Sequence, residues 1–315
     1  PQISGIEIMQ RTRSEGRDIE FVIISGFAEF EYAREAITLG AFEYCLKPVS
    51  KESASSILQR LAAHLDDKRD RRDIELFDSL ISRSSGEEVR IVDLGLSCRK
   101  KYYQGIVVSY KEDIHKKCSL ILPDGNNHIC IKLGNKKYFY IKNVEDDLYN
   151  YLTVYSSINA YIGLSSLATG SLQFRKMFIE ADKAAAAKFM RCSPGVYRYN
   201  RENTDYVNKI LDEIISGLKS IVTSTAYVYD LSNYMEIFGA DSCCIDDAVY
   251  LWNQIIAYLK KNHFRIEICK QLEFLGYEEL LEGFDDVTEM LSYLDTIIYS
   301  CINEDRYEQI YKKAA

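Results

Sequence analysis

Proline is scarce, at 4 residues in 315, and low-complexity sequence is nearly absent, which argues for compact domains and against long disordered linkers. Histidine is equally rare: His64, His115, His128 and His263 stand far apart, none at the spacing of a metal-ligand pair. The 9 cysteines are odd in number and never form a C-x-x-C pair. Cys243-Cys244 reads as two buried thiols, and this usage fits a reducing cytoplasm. No apolar run approaches the ~18 residues that a membrane helix needs, and the first residues lack a signal-peptide layout. Also missing are a G-x-S-x-G elbow, a phosphate-binding P-loop and a dinucleotide fingerprint. Positive charge is in deficit, with 39 Lys and Arg against 47 Asp and Glu and a formal net charge of −8, so a basic face for nucleic acid is not expected. The one dense basic run, Lys68 to Arg72, alternates with Asp66, Asp67, Asp70 and Asp73 and reads as a solvated helix with spaced ion pairs such as Asp67 to Arg71.

What is present begins with an α/β alternation. Ile3 to Glu15 reads as a helix stopped by Gly16, and residues 20–25 form a short apolar run, closed by Gly26, of the kind found in buried parallel strands. Phe30 to Leu39 reads as a helix with Gly40 just past its end. Residues 42–46 read as a strand broken by Lys47-Pro48, after which Ser50 can cap a further helix. Neither glycine nor proline interrupts residues 51–83, and apolar residues recur there with 3–4 spacing, so one continuous helix is predicted.

From about residue 88 the texture changes. Strands are predicted at Tyr102–Tyr110, Ser119–Leu122, His128–Leu133, Lys137–Lys142, Ala160–Leu164 and Val196–Tyr199, and helices at Glu145–Ser157 and Leu172–Met190. Beyond Asn203 the pattern is helical: Tyr206–Leu218, Thr225–Phe238, Asp246–Lys261, Arg265–Leu275 and a final pair around Val287 and Tyr307. The 24 tyrosines are spread over all of these segments, which indicates half-buried packing.

The string Val22-Ile23-Ile24-Ser25-Gly26-Phe27, followed by Phe30-Glu31-Tyr32-Ala33 and Ala41-Phe42-Glu43-Tyr44-Cys45-Leu46-Lys47-Pro48-Val49, resembles a response-regulator receiver from its fourth strand onward, in the flavour of the AraC-type regulators. The resemblance implies roles. In that family an aspartate accepts a phosphoryl group from a sensor histidine kinase with Mg²⁺ present. A hydroxyl matching Ser25 turns to it, and a lysine matching Lys47 makes a charge-assisted contact. The X-Pro bond at Pro48 is cis in the family and aims that lysine, and Tyr44 matches the aromatic that turns inward and changes the dimerisation face. The acceptor aspartate and the acidic pair for Mg²⁺ are expected upstream of Pro1, so no phosphoacceptor and no metal ligand is assigned within these residues. The strand over Phe21–Ser25 is then left with one unpaired edge.

Tyr161-Ile162-Gly163-Leu164-Ser165 with Ala181-Asp182-Lys183-Ala184 and Ala187-Lys188 resembles the last third of a GGDEF cyclase domain. The hairpin Leu133-Gly134-Asn135-Lys136-Lys137-Tyr138-Phe139 lacks the acidic residue that two-metal phosphoryl transfer requires, so a degenerate, non-catalytic copy is expected and no catalytic residue is assigned.

The expected fold class is therefore α/β and α+β multidomain. It comprises a partial flavodoxin-like receiver with a parallel sheet (1–63), a connector helix (64–87), a GGDEF-like or ferredoxin-like α/β domain (88–202) and an all-helical region (203–315). The expected function is a cytoplasmic, bacterial response regulator of a two-component phosphorelay. Its partners are a sensor histidine kinase and a second copy on activation, no membrane is involved, and DNA is reached only through a helix-turn-helix domain outside these residues. A protein–protein output or a residual nucleotide-binding role are the alternatives.

Overall fold

A computed structural model describes residues 3–26, 30–82, 94, 96, 100–110, 122, 128–134, 136–155, 159–169, 173–190, 193–199, 209, 212–217, 231, 243–261 and 272–314. They fall into two compact units, Pro1–Arg72 and Asp73–Ala315.

The first unit runs α1 (Gly5–Ser14), β1 (Val22–Ser25), α2 (Phe30–Thr38), β2 (Glu43–Leu46) and the start of α3 (Lys51–Ile81). Ser4 begins α1 with a capping box: its hydroxyl accepts from Glu7 N at 3.1 Å while the Glu7 carboxylate accepts from Ser4 N at 3.0 Å. Gly16 and Gly40 carry positive φ of 68° and 79°, the left-handed conformation that ends a helix without a Cβ clash. β1 and β2 pair in parallel, with Val22 opposite Glu43 and Ser25 opposite Leu46. Among the described residues of this unit the buried apolar ones are Ile6, Met9, Ala36 and Ile57, while Ile24 and Leu58 stand 52% and 64% exposed. α3 is one uninterrupted helix, as its lack of glycine and proline predicts, and the division between the units falls within it.

The second unit holds a five-stranded sheet in the order β4-β5-β3-β6-β7, from β3 (Tyr102–Ser109), β4 (His128–Lys132), β5 (Lys137–Val144), β6 (Tyr161–Leu164) and β7 (Gly195–Arg198). Only β6 and β7 run parallel to each other; the other neighbours are antiparallel. One apolar cluster carries Phe139, Phe174, Phe178 and Leu80, the other Ile106, Tyr140, Leu152 and Ile162. Burying each such side chain contributes about 1.5–3 kcal/mol.

Two helices in this sheet region are shorter than their patterns predict. α4 spans Tyr149–Tyr155 rather than starting at Glu145, because Leu148 N is drawn to the Gln104 side chain at 2.9 Å and Asp147 caps Tyr149 N at 2.7 Å. α5 spans Phe174–Ala185 and then tightens into a 3₁₀ turn at Ala186–Lys188. Of the strand predicted at Ser119–Leu122 only Leu122 is described.

The remaining helices are α6 (Ile245–Lys261), α7 (Tyr277–Gly283) and α8 (Val287–Ala314), and residues 212–217 are also helical. Their core gathers Leu251, Trp252, Ile255, Met290 and Leu294 with Phe189 and Met190 from the end of the α5 segment. Of the predicted Thr225–Phe238 helix only Leu231 is described. The prediction of helix over Arg265–Leu275 fails across Leu272–Leu275, which is not helical: Trp252 Nε1 donates to Glu273 O at 3.0 Å, and Asn253 holds Leu275 by both its N–H and its carbonyl. The pair expected around Val287 and Tyr307 is a single helix, α8, since nothing in that run breaks it.

Candidate functional site at the ends of the parallel strands

Ser25 is the last residue of β1 and Lys47 the first after β2, and the parallel register brings them to one edge. Lys47 N donates to Ser25 O at 2.8 Å. Ser25 is half-buried, while Lys47 and Pro48 are exposed, and the Lys47–Pro48 peptide is cis. Tyr44 lies half-buried in β2, three residues before Lys47 and opposite Ile23. In open α/β sheets ligands gather outside the carboxyl ends of the strands, which is where Ser25 and Lys47 stand in the chain. Such a pair can give an anion one neutral and one charge-assisted hydrogen bond. Phe27, which belongs to the same motif, lies outside the described residues.

A second constellation in this unit escapes the motif reading. His64, Lys68 and Arg72 repeat every four residues along α3 and so share one face. That face meets Asp18 and Glu20, just ahead of β1. The Lys68 ammonium bonds Glu20 Oε1 at 2.7 Å and also pairs with Asp18, Arg72 pairs with Asp18, and His64 Nε2 lies 3.5 Å from Glu20 Oε1. The Lys68 hydrogen bond holds the Glu20 carboxyl below its ordinary range, against the opposing effect of its partial burial. Lys68 and Arg72 of the basic run are thus ion-paired, while Arg69 and Arg71 stand exposed. Arg71, expected to pair with the Asp67 carboxylate, donates instead to the Asp67 carbonyl at 3.4 Å.

In the sheet unit the residues of the I-G-x-S string have packing roles. A Cβ on Gly163 would stand 2.0 Å from Ala181 O and 2.3 Å from Ala185 N, so α5 lies directly on β6 only because this side chain is missing. Ser165 Oγ accepts from Gly105 N at 2.9 Å. The buried Gln104 amide donates to Ser165 O at 3.0 Å and accepts from Leu148 N. Asp182 pairs with Lys137 at 2.8 Å, and Glu180 accepts from Ser166 N at 2.9 Å. The hairpin glycine, Gly134, has φ of 89° and Leu133 N donates to Lys137 O at 2.9 Å, a turn with two lysines at its far side. Cys243 and Cys244 are half-buried, and burial pushes the Cys244 thiol up to about 12. Among the described residues no group of His, Cys, Asp and Glu could hold a metal ion, and no helix is long and apolar enough to cross a membrane.

Over 65 residues, 21% of its length and 18% of the relative, this chain is 35% identical to the uncharacterized transcriptional regulatory protein YesN of Bacillus subtilis (strain 168). It is 33% identical over 60 residues to the regulatory protein AtoC of Escherichia coli (strain K12), covering 19% of this chain and 13% of AtoC. Over 65 residues, 21% of this chain and 27% of the relative, it is 32% identical to the transcriptional regulatory protein CitT of Halalkalibacterium halodurans. The chain carries a region similar to response-regulator receivers. It spans between 13% and 27% of the length of these relatives. No family model matches it.

Proposed function

We propose that the chain is part of a response regulator of a two-component phosphorelay that controls transcription, and that Ser25, Tyr44, Lys47 and Pro48 read out its phosphorylation. The observation that carries this is the placement of Ser25 and Lys47 at one end of a parallel strand pair, in a chain that is similar over a short stretch to transcriptional regulatory proteins. In this reading a sensor histidine kinase supplies the phosphoryl group, Mg²⁺ assists the transfer, and activation produces a homodimer in the cytoplasm. The acceptor and the Mg²⁺ ligands are not among the residues assigned here. The net charge of −8 favours DNA contact through a domain outside these 315 residues.

The AraC-type and GGDEF-like assignments belong to the same proposal. The sheet order β4-β5-β3-β6-β7, with its parallel β6–β7 pair and α5 between them, supports a cyclase-like architecture for the second unit. Lys136 and Lys137 at the hairpin support a copy without turnover, since two-metal chemistry requires carboxylates there. Measurable conversion of GTP by the purified chain would overturn that part.

The transcriptional reading is tested by deleting the gene and profiling transcripts with and without the stimulus of its kinase. A defined set of transcripts that loses its response supports it. An unchanged profile, with the protein shown to be expressed, refutes it and leaves protein–protein output as the replacement.

A further inference from the structure

We propose that Asp182 is a positioning residue that couples the β4–β5 hairpin to the C-terminal helices. Asp182 sits on α5 with only 5% of its surface exposed, a position an unpaired carboxylate does not tolerate. Its two oxygens are divided between two structures far apart in sequence. Oδ1 pairs with Lys137 Nζ at 2.8 Å, where the hairpin enters β5, and Oδ2 lies 3.3 Å from the Tyr277 hydroxyl, on the first residue of α7, which shares its one proton between Asp182 and Glu278 Oε1 at 3.0 Å. The next residue extends the junction. Lys183 Nζ bonds Asp246 Oδ1 at 2.6 Å in the first turn of α6 and lies 5.3 Å from the centre of the Tyr277 ring, while the Tyr199 hydroxyl reaches Asp246 Oδ2 at 3.4 Å. Burial, with Asp182 and Glu278 beside it, holds the Tyr277 phenol firmly protonated and so a donor. A little further along the chain, Phe189 O accepts from Val287 N at 2.9 Å at the start of α8.

Two neighbouring residues of one helix therefore tie α6 and α7 to a sheet hairpin. In a buried polar network each member is held by the others, so loss of one partner is felt at the next. The hairpin tip and α7 share one carboxylate, and a shift of Lys137 changes what Tyr277 bonds to. This coupling stands apart from the receiver reading and does not depend on it.

Hydrogen exchange followed by mass spectrometry on the full chain tests it. Tyr277→Phe removes only a hydroxyl. It is expected to accelerate exchange across residues 133–139 by about fivefold or more, the low end of measurable coupling, and Lys137→Met is expected to do the same across residues 277–283. Lys176→Met, on the exposed side of the same helix, should move neither segment. If each substitution changes exchange only in its own segment, the coupling is refuted. Should Lys137→Met loosen the whole unit, the response of residues 133–139 to Tyr277→Phe decides alone.

Discussion

Glu20 accepts a hydrogen bond from the ammonium of Lys68 at 2.7 Å, across 48 residues of sequence, and so fastens α3 to the segment that leads into β1. The Glu20 side chain is 13% exposed and that of Lys68 30%, which leaves the pair drier than an ordinary surface ion pair. Lys68→Met is expected to destabilise the first unit by about 1–2 kcal/mol, between the exposed ion-pair and charged hydrogen-bond ranges. Urea unfolding followed by a probe placed in that unit measures it, and the loss should shrink as salt is added.

The same pair sets an acid limit. Because the folded value of Glu20 lies below its ordinary 4.5, its contribution is fully present above that value and is lost as pH falls below it and through the lowered one. Glu20→Gln should therefore flatten the fall in stability of the first unit below pH 4.5 and lower its stability at neutral pH. Unfolding curves at several pH values check both signs.

Gly163→Ala is expected to cost about 1–3 kcal/mol or more, because the added carbon meets backbone of α5 that cannot move aside without lifting the helix from β6. A drop in melting temperature of several degrees follows for a unit of this size. An unchanged melting temperature would show that α5 slides at no cost.

Gln104→Leu keeps the volume but leaves Leu148 N and Ser165 O without their side-chain partners. Each buried group orphaned in this way costs about 1–3 kcal/mol. Faster amide exchange at the start of α4, which Gln104 holds, is the local signature to look for.

The α/β order of the first unit was legible because its strands are short apolar runs and its helices end at Gly16 and Gly40, whose signals are local. The unbroken α3 was legible from what its residues lack. The Ser25–Lys47 edge could be read from a motif whose spacing implies neighbouring strand ends, and the backbone hydrogen bond between them places both there. The grip of Asp18 and Glu20 on His64, Lys68 and Arg72 was not legible, since nothing local marks which distant carboxylate a helix face will meet. Leu272–Leu275 was misread for a related reason. Its apolar residues fit a helix, but Asn253 and Trp252 take its backbone groups and keep it out of one. At Val287–Ala314 the signal for one helix was present in the lack of any breaker, and the division into two had no residue to support it.

The central claim is that the strand-end pair Ser25 and Lys47 reads a phosphoryl group. Its most direct test is sedimentation of the protein as its gene encodes it, with and without phosphorylation by its kinase, for the native sequence and for Lys47→Ala. The account predicts a phosphorylation-dependent dimer for the native protein and its loss in Lys47→Ala while the phosphoryl group is still taken up. A Lys47→Ala protein that dimerises on phosphorylation like the native one would contradict it.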